Sequence, residues 1–171
     1  MISYTLPPFV VSFLGWAYNS WVGEITRNVP WVFSVCETLH FIGLSILFAA
    51  LLVMDLRLLG FLPQISIKTA LKMIPVAIVG FVINLLTGIV FFASSPGSYA
   101  YNPAFLLKMA LILVAGANAI LHEYVFRQRF ARHGHTDDVD TLTKVIAGSS
   151  LFLWTAILLL GRLLPQFSID G

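Results

Sequence analysis

Apolar positions in this chain come in four long runs rather than in one-sided stripes. They cover about Trp31 to Met54, Leu71 to Phe92, Pro103 to Phe126 and Leu142 to Leu164. At about 1.5 Å of helix rise per residue, runs of this length cross a hydrocarbon layer about 30 Å thick. A segment apolar on every side has no soluble face, so lipid is its natural solvent. Polar punctuation separates the runs. Asp55, Arg57, Pro63, Gln64 and Lys68 mark a first loop, Ser94 to Ser98 a turn, Arg127 to Asp140 the longest polar segment, and Pro165 the end of the last run. The fold class expected is all-α: a transmembrane four-helix bundle.

Ahead of the first run, Pro7 and Pro8 open a further helical segment reaching Val22, since proline fits the first turn. Trp16, Tyr18 and Trp21 are rings that favour the headgroup region, and Ser12, Gly15, Asn19 and Gly23 form a narrower polar stripe. These features predict a helix lying in the interface, with a fifth span as the alternative because the apolar length is close to the minimum for crossing. Gly23 to Pro30 reads as a polar connector. The organisation expected is a single integral-membrane domain over 1–171, with interfacial helix and connector over 1–30, four-helix core over 31–164 and tail over 165–171. Met1 to Pro8 carries no basic residue before an apolar run, which predicts that these residues stay in the mature protein.

Composition strengthens the membrane reading: 58% of the residues are hydrophobic and 11% charged, against about a quarter charged in soluble domains. The net charge of +2 argues against a nucleic-acid partner. Arg57, Lys68, Lys72, Arg127, Arg129, Arg132 and Lys144 lie at the ends that an even number of crossings places together. That side is expected in the cytoplasm, with the C-terminus outside. Cys36 is the single cysteine, so no internal disulfide forms. The chain has no glycine-rich phosphate loop, nucleophile elbow or two-histidine zinc helix, which argues against soluble-type hydrolases and nucleotide-driven pumps.

Ionisable residues are costly inside a bilayer, so those within the runs are the candidate chemistry. Glu37 and His40 sit one turn apart on the first long helix. Counted from the outer ends, Glu37 lies about 9 Å deep, His40 about 13 Å, Thr87 about 8 Å, Asn84 about 12 Å and Lys108 about 7 Å. These five can form one polar layer. Glu37 and Lys108 are natural countercharges and candidate proton-relay residues, while Asn84 or Glu37 would orient the His40 ring. A neutral imidazole there can bind a haem iron or copper, or pass a proton. The plain alternative is a hydrogen-bonded histidine and a buried ion pair that only fix helix register.

Asn118, His122, Glu123, Ser149 and Ser150 make a second group in the inner half. His122, about 27 Å from the outer end, is too far from His40 in depth for the two to clamp one haem. It is a candidate metal ligand for a separate cofactor or an interfacial histidine with its hydrogen bonds met. His133, His135, Asp137, Asp138 and Asp140 can bind a divalent metal weakly or form a solvated loop whose acidic end suits the start of the last helix. Arg162 is a snorkelling charge or a partner for an anion such as a haem propionate.

Glu37-Thr38-Leu39-His40, followed by Gly43 and Ser45, resembles the histidine-bearing first core helix of the membrane protoporphyrinogen oxidase family. That resemblance implies b-type haem, with His40 and Lys108 as the matching pair. The layout is also similar to the copper-resistance inner-membrane permease domain and to uncharacterised bacterial membrane families of this length. These resemblances imply a bacterial inner-membrane protein. The functions expected are electron transfer or membrane redox chemistry on haem b, with a copper or small-solute permease and a non-catalytic subunit with a membrane or periplasmic partner as alternatives. The subunit alternative predicts that Glu37 or His40 faces outward.

Overall fold

A computed structural model describes residues 7–133 and 139–167, with the side chains of 126–133 excepted. Its helices are α1 (Pro8–Tyr18), α2 (Trp21–Asn28), α3 (Pro30–Leu59), α4 (Ile67–Leu71), α5 (Met73–Ser94), α6 (Pro96–Ala100), α7 (Pro103–His133) and α8 (Thr141–Leu163), followed by a 3-10 turn, Leu164–Phe167. The fold is all-α, and four segments are long and apolar enough to cross a membrane: Pro30–Leu59, Ile67–Ser94, Pro103–Val125 and Thr141–Phe167.

Several boundaries move, each for a local reason. The first long helix runs past Asp55 and Arg57, which are buried helical residues rather than loop markers. It stops at Gly60, whose φ of 95° admits the left-handed cap. There Phe61 N–H donates to the Leu56 carbonyl at 2.9 Å and Gly60 N–H to Arg57 at 3.1 Å, a Schellman closure. The turn at Ser94–Ser98 is partly the short helix α6, started by Pro96 in its first turn.

The N-terminal segment is two helices instead of one. Ser20 breaks it, and its hydroxyl accepts from Gly23 N–H at 3.2 Å to start α2, so the expected connector is helical. With 11 residues, α1 is about 16 Å long and too short to cross the hydrocarbon. It lies against the α5–α6 end of the core, Phe13 stacking on Phe92 with ring centroids 6.2 Å apart. Arg27 fastens this pair of short helices. Its guanidinium donates to the carbonyls of Tyr18 (2.7 Å), Ala93 (3.2 Å) and Ser94 (3.3 Å) and sits 3.7 Å from the Tyr18 ring centroid. It thereby serves the carbonyls left open at the ends of α1 and α5.

The spans pack in the order α5–α3–α8–α7, and among the described residues no Cα of α5 comes within 8 Å of α7. The closest approach of backbones is α3 on α5. A Cβ on Gly80 would stand 2.6 Å from the Leu47 nitrogen and 2.7 Å from the Gly43 carbonyl oxygen, and one on Gly43 would meet Ile83 at 2.7 Å. Small residues are what allow this contact in lipid, where association relies on close packing. Gly88, by contrast, has nothing within 4 Å of such a Cβ. Two apolar clusters follow the α3–α8 seam: Leu47, Ala50 and Ala77 under Trp154, and Met54, Leu58, Ile67 and Ala147 nearer the α3–α4 end. The gap between α5 and α7 is bridged near α6 by rings, Phe92 on Phe105 at 6.0 Å. Asn102 ties α7 to α8: its Oδ1 accepts from Ala104 and Phe105 N–H at 3.0 and 3.2 Å, and its amide donates to Leu164 at 2.9 Å.

Candidate functional site

The Gly43–Gly80 contact sets the register that builds the site. Seven residues before Leu47 on α3 and seven after Gly80 on α5, two turns along each antiparallel helix, His40 meets Thr87. His40 Nδ1 lies 2.7 Å from Thr87 Oγ1. The Thr87 hydroxyl has one proton and is 2.7 Å from the Ile83 carbonyl and 3.2 Å from that of Asn84. Carbonyl oxygens only accept, so the hydroxyl donates to its own helix and accepts from His40 Nδ1–H. The imidazole is therefore held in the Nδ1–H tautomer, leaving the Nε2 lone pair as its reactive atom. Phe91 covers one side of the ring with centroids 5.3 Å apart, and Phe33 packs on Phe91 at 5.3 Å.

Asn84 does not orient the histidine. Its amide donates to the Gly80 carbonyl at 2.9 Å and lies against Gly43, so the orienting group is Thr87. Lys108, half-buried on α7, lies within electrostatic range of His40. Gly161 makes room for it, since a Cβ there would stand 3.4 Å from Nζ.

Glu37 lies apart from this group. It is exposed on α3, and no ion pair joins it to Lys108. The two are not countercharges in this structure, because Lys108 turns toward Gly161 of α8 while Glu37 is exposed on α3. Arg162 is exposed near the end of α8. His122 is buried where α7 packs on α8, with Glu123 acting on it electrostatically, and one turn away Asn118 donates to the Ile146 carbonyl at 3.2 Å. Among the described residues no three His, Cys, Asp or Glu side chains come together as a metal site. The segment 134–138, with His135, Asp137 and Asp138, and the His133 side chain lie outside the described residues. Asp140 does start α8 as expected, its carboxylate accepting from Thr143 N–H at 3.4 Å.

Two residues of consequence had no sequence signal read from them. Arg27 falls in what the sequence reads as a polar connector, and Asp55, 0% exposed, in what it reads as a loop. The signal for Asp55 was present: it stands eighteen residues, five full turns, after Glu37 on one unbroken apolar helix.

Residues 13–168 match the model of a family of unknown function, DUF6644. The chain belongs to this family. No curated protein and no solved structure matches it. What this DUF6644 chain has in hand is a histidine with one nitrogen fixed by hydrogen bonding, a lysine within electrostatic range and aromatic walls. That set can ligate a metal centre through one imidazole and hold an anionic group beside it.

Proposed function

We propose that this protein carries a b-type haem in the outer half of its helices for electron transfer or redox chemistry on a lipophilic substrate, with His40 Nε2 as the iron ligand. The observation that carries the reading is the His40 Nδ1–Thr87 contact of 2.7 Å. Metal-ligating histidines characteristically have the other ring nitrogen engaged in this way. Lys108, and Arg162 if its long side chain turns inward, supply positive charge for propionate groups, and Phe91 and Phe33 supply aromatic walls. When bound, haem supplies one-electron chemistry at iron; the chain holds the ligating ring and offers the cation. Copper has less support as the resident metal, since His40 is without a second clustered donor among the described residues. The resemblance of Glu37 to His40 to the membrane protoporphyrinogen oxidase helix agrees with haem. The excess of cations at the α3–α4 and α7–α8 connections favours an inner-membrane location with those ends in the cytoplasm and the C-terminus outside.

The test is the absorption spectrum of the detergent-purified protein, oxidised and then reduced, for wild type and His40→Ala. A Soret band in the wild type that is lost in the variant is the expected result. A colourless wild type, after haem has been supplied during expression, overturns the proposal.

One observation favours a second reading, that of a subunit. The exposed Glu37 shares the outward side of α3 with Ser34, Thr38 and Ser45, a polar surface toward lipid that a partner helix would cover. Glu37→Ala would then release a co-purifying partner and leave the spectrum unchanged.

A further inference from the structure

The α3–α8 seam holds an ionisable side chain that the His40 site does not use. Asp55 is 0% exposed, beside the apolar cluster of Met54, Leu58, Ile67 and Ala147. Neither carboxyl oxygen has a hydrogen-bond partner; the Ser150 hydroxyl of α8 faces the group without reaching hydrogen-bond geometry. Arg57, two residues on and about 200° around the helix, turns away and donates from Nε to the Ile65 carbonyl. Of the other charged groups on the elements nearby, Lys68 and Lys72 at α4 and Lys144 on α8 are exposed, and on α7 Glu123 is exposed while His122 is buried.

A lone carboxylate in apolar surroundings carries a large desolvation cost unless a positive charge accompanies it. Ionisable groups at protein seams within a membrane mark ion and proton pathways. Asp55 stands four residues before Leu59, about 6 Å from the end of α3, and Gly148 is the residue opposite Leu59. The aqueous side at the α3–α4 connection is therefore the nearer one to Asp55.

We propose that Asp55 and Ser150 form a second intramembrane site, independent of His40, which takes one small monovalent cation, a proton or a sodium ion, from that side. The carboxyl supplies the charge, and the Ser150 hydroxyl supplies an acceptor for the acid proton or a third oxygen for sodium.

Infrared spectroscopy of the full chain in lipid vesicles tests this, by subtracting the spectrum of Asp55→Asn from that of the wild type in sodium-free buffer. The expected difference is the C=O stretch of a carboxylic acid. Sodium addition converts that band to the carboxylate pair if the ion is the ligand and leaves it in place if the ligand is the proton. Ser150→Ala keeps Asp55 and removes the facing hydroxyl, so it should shift the same band, which assigns the band even if Asp55→Asn does not fold. For a sodium site it also raises the sodium concentration needed by about tenfold, the loss of one good polar contact to a charge. Carboxylate bands at Asp55 in sodium-free buffer, or an acid band untouched by Ser150→Ala, overturn the proposal.

Discussion

Replacing Gly80 by alanine tests whether backbone proximity builds the His40 site. The added methyl would stand 2.6 Å from the Leu47 nitrogen, 2.7 Å from the Gly43 oxygen and 2.9 Å from Leu47 Cα, all of them backbone atoms. Ordinary contact begins near 3.4 Å, so α3 and α5 must part by about 0.8 Å at that level. No side-chain rotation can absorb it. Two turns along, the same parting stretches the His40–Thr87 contact from 2.7 Å to about 3.5 Å, where a hydrogen bond no longer holds. Overpacking costs about 1–3 kcal/mol and the lost bond about 1 kcal/mol, while alanine returns about 1 kcal/mol in helix propensity. The net is a destabilisation of about 1–3 kcal/mol. Gly88→Ala is the control, because nothing lies within 4 Å of its Cβ position. Unfolding of both variants in mixed detergent micelles measures the difference, and nitrogen NMR of His40 reports whether Nδ1 keeps its proton. Gly80→Ala as stable as Gly88→Ala, with the His40 signals unchanged, refutes the reasoning.

Thr87→Val removes the acceptor for Nδ1–H; it should cost about 1 kcal/mol and give His40 a mixture of tautomers by NMR, while Thr87→Ser keeps the single tautomer. Arg27→Ala loses the guanidinium contacts to Tyr18, Ala93 and Ser94. It should cost about 1.5–3 kcal/mol and speed protease cleavage between α1 and α3, and Arg27→Lys should recover only part because one ammonium cannot span the same carbonyls. Asn102→Ala removes the α7 cap and the tie to Leu164, and a fall of about 1 kcal/mol in unfolding free energy is expected.

The His40 site was legible because its members were costly. A histidine and a lysine inside apolar runs stand out, and counting rise per residue placed them within about 6 Å of each other in depth. Depth says nothing of azimuth relative to a neighbour. That is why Glu37, at the same level, was expected to pair with Lys108 and instead faces outward, and why Asn84 was given the role that Thr87 performs.

Sequence alone determined that this chain is all-α, has four membrane-length helices and carries ionisable groups within them, because length, hydropathy and helix rise are local properties of the chain. Tertiary structure decided which of those groups meet. The contact of Gly43 with Gly80 sets how closely α3 approaches α5 and so gives His40 its orienting partner. The α3–α8 seam buries Asp55 while leaving Glu37, on the same line of the same helix, uncovered. Both outcomes depend on which helix packs against which face and how closely, a property of pairs of segments far apart in the chain that no single run of residues encodes.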